Sequence, residues 1–166
     1  MYAIELFLDE DADARVRRVW AALDEHGVTS LGSVPASDYH PHVTLSVFEC
    51  GDPAAVLGAL PEVAGLPLPL ESLGFFPTAE APVFLGVVPS ARLLALHHAV
   101  HRAIAPIVDH IRPFYRPDAL VPHCTLAVGV TDPARALEVA ARLPLPIHAF
   151  ASGARLVEVP GGRLIS

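Results

Sequence analysis

Lysine is missing from this chain of 166 residues. All 11 basic residues are arginine, against 18 aspartates and glutamates, for a net charge of −7. That absence excludes a ligase whose lysine carries a nucleotide covalently, because there is no amine to form the adduct. The acidic balance also lacks the electrostatic footprint of a general nucleic-acid binder, which neutralises phosphates with clustered Lys and Arg. Cysteine is nearly as scarce. Cys50 and Cys124 are too few for a disulfide scaffold, and Cys124 reads as a small buried hydrophobe. Long apolar runs are absent as well, despite 52% hydrophobic residues and a mean hydropathy of +0.46. A bilayer-spanning helix needs about 20 unbroken apolar residues, whereas Ala54 to Phe76 is cut by Pro61, Glu62, Pro67, Pro69 and Glu71. The opening residues carry no basic segment and no cleavage site of a signal peptide. A monomeric, soluble, cytoplasmic protein is expected, with one domain over residues 1–166 that buries roughly 70% of its unfolded surface.

What the chain does have is a repeat. Pro41-His-Val-Thr-Leu-Ser46 returns 81 positions later as Pro122-His-Cys-Thr-Leu-Ala127. Gly51-Asp-Pro-Ala-Ala-Val-Leu57 matches Thr131-Asp-Pro-Ala-Arg-Ala-Leu137 at an offset of 80, and Leu66-Pro-Leu-Pro-Leu70 matches Leu143-Pro-Leu-Pro-Ile147 at 77. Three matches in one order mark two copies of a single unit, with lobes at roughly 1–78 and 79–166.

Each copy reads alike. A short apolar strand opens it, Ala3–Leu8 or Val83–Val88. A helix follows, Ala12–His26 behind the acidic cap region Asp9–Asp13, or Arg92–Val108 behind Ser90. A loop leads into the His-x-Thr strand, and Asp52-Pro53 or Asp132-Pro133 then starts a short helix. β-rich segments close each copy, Pro67–Phe76 and Pro146–Val159. The pattern predicts an α+β fold, a bilobal pseudo-two-fold domain with two antiparallel sheets, flanked by helices, around a central cleft.

Residues i and i+2 of a strand share a face. His42 and Thr44 therefore point together, and so do His123 and Thr125, while Val43, Leu45, Cys124 and Leu126 face the core. Such pairs suit phosphodiester chemistry. One imidazole takes a proton from water and the other gives one to the leaving oxygen, tasks that match an unperturbed pKa of about 6.5. The threonine hydroxyls can bond phosphate oxygens.

These motifs resemble the 2H phosphoesterase superfamily, and within it the 2′-5′ RNA ligase / RNA 2′,3′-cyclic phosphodiesterase branch. The resemblance runs from the opening strand and helix through Gly74-Phe75-Phe76-Pro77 to the second Pro-His-x-Thr-Leu. It implies that both histidines are catalytic, His42 as proton donor and His123 as acceptor, with both threonines on phosphate and no cofactor. The implied substrate is a nucleotide or RNA terminus bearing a cyclic phosphate, opened to a 2′-phosphate. Cleavage of 2′-5′ oligonucleotides, ATP-independent 2′-5′ ligation and plain binding of nucleotides or RNA ends are the alternatives. Many relatives carry a basic residue after the second motif, where Ala127-Val128-Gly129 stands here, which points towards small cyclic phosphates.

Four further residues are candidates for substrate binding. Strand alternation puts Phe48 on the face of His42, as a base stacker or a core aromatic. Tyr115 and Arg116, between Pro113 and Pro117, are a base stacker and a phosphate contact, or plain loop residues. Of Phe75 and Phe76, which face opposite ways, Phe76 is assigned to the cleft. No metal is expected. His40 with His42 lacks a third ligand, and His97 with His101 lacks the glutamate of a His-Glu-x-x-His helix.

Overall fold

Strand β1 (Tyr2–Leu8) forms where Ile4, Leu6 and Leu8 alternate, and these side chains are buried. The computed structural model describes residues 1–166. Helix α1 (Glu10–Glu25) starts at Asp9, whose carboxylate accepts from the Ala12 N–H at 3.2 Å, with Glu10, Asp11 and Asp13 in the first turn. Its buried stripe is Ala12, Val16, Val19, Trp20 and Leu23. The second copy repeats this with β5 (Val83–Val87) and α3 (Ala91–Ile104), where the Ser90 hydroxyl accepts from Leu93 N–H at 3.2 Å. Helix α3 ends earlier than the expected Val108. Pro106 has no N–H and blocks the preceding turn, and Val108–Asp109 forms a short strand, β6, on β3 (Cys50–Gly51). The two Asp-Pro signals open α2 (Pro53–Gly58) and α4 (Pro133–Ala140), each capped by its aspartate.

Antiparallel pairing gives one sheet in the order β2-β1-β8-β4-β5-β7, where β2 is His42–Phe48, β4 Pro67–Phe75, β7 His123–Ala127 and β8 Ile147–Glu158. Strand β9 (Arg163–Ile165) adds to β8, and β3 with β6 makes the second sheet. Each repeat sends its closing strand to the other. The first copy's β4 pairs with the second copy's β5, and the second copy's β8 pairs with β1. The equivalent segments also meet each other symmetrically, Pro67 opposite Phe150 and Leu70 opposite Ile147. The sheet curls until its two ends, β2 and β7, lie against one another. Helix α1 packs on β7 and β8, and α3 packs on β2.

Both motif strands carry the same irregularity. The β1–β2 register passes from Ile4 opposite Ser46 to Glu5 opposite Thr44, leaving Leu45 as the extra residue of a bulge. In β5–β7, Val83 opposes Ala127 and Phe84 opposes Thr125, leaving Leu126. Leu45 and Leu126 are both 0% exposed, and burying each contributes about 1.5–3 kcal/mol. Beyond the bulge the alternation inverts. Phe48 consequently enters the core, 1% exposed and against Tyr2, so it does not share the His42 face as strict alternation predicted.

Candidate active site

His42 is nearly buried on β2. Its Nδ1–H donates to the carbonyl of His40 at 2.6 Å, which fixes the ring and leaves Nε2 for chemistry. A carbonyl only accepts, so the proton on Nδ1 follows from the geometry. Across the ladder, Phe7 stands opposite His42 and Glu5 opposite Thr44. The Glu5 carboxylate reaches within 3.3 Å of His42 Nε2. Burial pushes the Glu5 carboxyl above the usual carboxylate range, while His42 and His40 pull it back. His40 stacks on Phe7 with centroids 5.1 Å apart, and its Nδ1 lies 3.1 Å from Arg17 Nη2.

His123 repeats the anchor. Its Nδ1–H donates to the Val121 carbonyl, again at 2.6 Å and again two residues upstream. Its surroundings are different. Phe76 meets the imidazole edge-on at 5.0 Å, Phe84 lies 5.1 Å away, and the two phenyl rings stack at 4.5 Å. Desolvation lowers the His123 pKa, the Val121 bond opposes that, and the charge of His42 lowers it further. Phe84 is opposite Thr125 and Gly86 opposite His123, the places that Glu5 and Phe7 take in the first copy. Gly74 makes room for this cluster, because a Cβ there would stand 2.7 Å from the Phe84 ring.

Where the motif strands meet, the buried Cys124 thiol lies against the His42 backbone, its pKa pushed up to about 12 by burial. Beside His123 and Thr125 opens a cavity of about 720 Å³, whose walls include Phe76, Glu80, Phe114 and Tyr115. That volume suits a nucleoside-sized ligand. Tyr115 lies on the turn that packs against β2, its phenol close enough to Thr44 to be influenced by it, and burial raises its pKa. The structure thus brings Phe76 and Tyr115 to the two motifs. Arg116 is placed elsewhere. It follows a tight turn (Pro113–Tyr115) in extended conformation, is exposed and does not line the cavity, and its charge acts instead on His101 of α3. Phe75 is 44% exposed. The residue that sequence reasoning passed over is Glu5, although one carboxylate inside the apolar strand Ala3-Ile-Glu-Leu-Phe-Leu8 is the signal that marks it.

No group of three or more His, Cys, Asp or Glu side chains is arranged to hold a metal. His40 and His42 each commit Nδ1 to a protein partner, and the buried His97 places Nε2 2.9 Å from the Tyr115 carbonyl. No helix is long and apolar enough to cross a membrane.

No curated protein matches the sequence. The family model described as the 2′-5′ RNA ligase superfamily matches residues 8–162, a span that includes both His-x-Thr strands and the cavity beside the second. The chain therefore belongs to the 2′-5′ RNA ligase superfamily, a family of 2H phosphoesterase-type enzymes.

Proposed function

We propose that the protein hydrolyses 2′,3′-cyclic phosphates of nucleotides or RNA ends to 2′-phosphates, without a metal or other cofactor, and does so as a monomer in the cytoplasm. The observation that carries this reading is the matched pair of anchored imidazoles, each with Nδ1 on a carbonyl at 2.6 Å, which leaves Nε2 as the nitrogen that exchanges a proton. His123, held neutral by its aromatic surroundings, takes a proton from water as the water oxygen attacks phosphorus. The bond from phosphorus to the 3′ oxygen breaks, and His42 gives that oxygen its proton. Hydroxyls of Thr44, Thr125 and Tyr115 donate to the non-bridging oxygens as their charge grows. Phe76 and Phe114 offer faces for a nucleobase. Glu80 in the cavity wall disfavours additional phosphates, which supports a mononucleotide or a chain end over the interior of an RNA.

The test is EDTA-treated protein incubated with 2′,3′-cyclic AMP and followed by phosphorus NMR. A predominant adenosine 2′-phosphate is expected. A predominant 3′-phosphate would reverse the donor and acceptor roles, and no turnover would remove the hydrolase reading.

A further inference from the structure

We infer that Glu5 is a positioning residue that makes His42 the acid of the pair, by placing a carboxylate beside its Nε2 where the second copy has Phe84. The inference rests on the hydrolase reading above and adds a group that the motifs do not contain. Glu5 and Phe84 hold equivalent places. Each stands opposite the motif threonine, and each adjoins the register shift that creates a bulge. One copy has therefore kept a carboxylate where the other has an aromatic ring.

Glu5 is 3% exposed between Ile4 and Leu6, which are both fully buried. A carboxylate in such a place is strongly disfavoured unless a partner compensates it. Its neighbours narrow the partner to one. His42 Nε2 is 3.3 Å away, and His40 is a weaker influence. The Tyr115 phenol and Cys124 thiol are close enough to feel the carboxylate, but burial holds both protonated and neutral. Arg155, opposite Glu5 on β8, is exposed and donates to the Ala154 carbonyl at 2.9 Å. An imidazolium gains from a carboxylate at that distance and a neutral imidazole does not. Burial raises the Glu5 carboxyl and the charge of His42 lowers it, so the carboxylate favours a proton on His42. That proton is within reach of Nε2, which must deliver it. His123 has no such neighbour and is left to accept.

The experiment compares wild type with Glu5→Gln and Glu5→Asp, using 2′,3′-cyclic AMP over pH 5 to 9. In Glu5→Gln the alkaline limb of kcat should move to lower pH by about one unit, the low end of a neighbouring charge's effect. At pH 8 kcat should fall by up to about tenfold while KM stays within about twofold, and near pH 5.5 the variant should approach wild type. Glu5→Asp should restore part of the shift. An unmoved limb, or an equal loss at every pH, would overturn the inference. A readout without substrate separates it from the hydrolase reading. Nitrogen-15 NMR should show the His42 ring titrating at lower pH in Glu5→Gln while His123 stays nearly unmoved. In the unmodified chain, Glu5 Cδ and the His42 ring should share a titration step. If those signals behave so but no cyclic nucleotide is turned over, the hydrolase reading fails and the Glu5 assignment stands. Independent titration of Glu5 and His42 sinks the assignment whatever the turnover.

Discussion

The two copies share a backbone and divide the chemistry. In both, a proline precedes the histidine, Nδ1 rests on a carbonyl two residues upstream, and a bulge follows the threonine. What differs is the wall around each ring. His42 sits with Glu5, Phe7 and His40, a polar and ionisable setting. His123 sits against the stacked pair Phe76 and Phe84, beside an apolar cavity. Position is inherited from the repeat, whereas the surroundings of each ring come from residues outside the motif. On the proposed mechanism, a symmetric scaffold becomes an acid and a base through residues outside the motif.

The largest expected effect comes from deleting either ring. His42→Ala and His123→Ala should each lower kcat by roughly 10²–10⁴-fold. The double variant should be little worse than the poorer single one, because the groups act as a unit. Nearly wild-type turnover in either variant would dissolve the comparison.

A smaller change tests the aromatic wall. Phe76→Ala admits water to His123, so its depressed pKa should rise towards the ordinary value of about 6.5. The base is then protonated at higher pH, and the acid limb of kcat/KM should move up by a fraction of a unit. An unmoved limb would show that Phe76 does not desolvate the base.

The smallest effect concerns the helices behind the motifs. His97 of α3 occupies the place that Val16 holds in α1. Its pKa is depressed, first by desolvation. Below about pH 6.5 the unfolded chain takes up a proton that the folded chain refuses. The stability so contributed is present above that pH and lost as pH falls towards the folded value. His97→Val should flatten the fall of Tm between pH 7 and 5. It should also lower Tm at pH 7.5 by about 2–4 °C for a lost hydrogen bond worth about 1 kcal/mol. A Tm–pH curve parallel to wild type would refute the assignment.

Much of this was legible in the residues. The offset of 81 between Pro41 and Pro122 marked the repeat, and the Asp-Pro pairs marked two helix starts. The positions of His42, Thr44, His123 and Thr125 on strands followed from alternation. Alternation then misled for Phe48, since a bulge inverts the pattern and no single residue announces it. The structure shows it in both copies, where Leu45-Ser46 and Leu126-Ala127 are each buried consecutively. Glu5 and Tyr115 became informative only through register and loop placement, because what they touch lies far away along the chain. Arg116 shows the converse, a residue one step from the cleft whose backbone direction carries it out.

The exchange of closing strands has a consequence for biosynthesis. Strand β8, residues Ile147–Glu158, is made after β1 through β7, yet it lies between β1 and β4 in the middle of the sheet. Until it emerges, the first strand made has lost one of its two neighbours, and neither lobe can be completed on its own. Until then β1 is exposed on that edge, and the closing step joins residues far apart along the chain, such as Tyr2 and Glu158. Pairings that distant make for slow closure, so the cleft assembles only after β8 has been made.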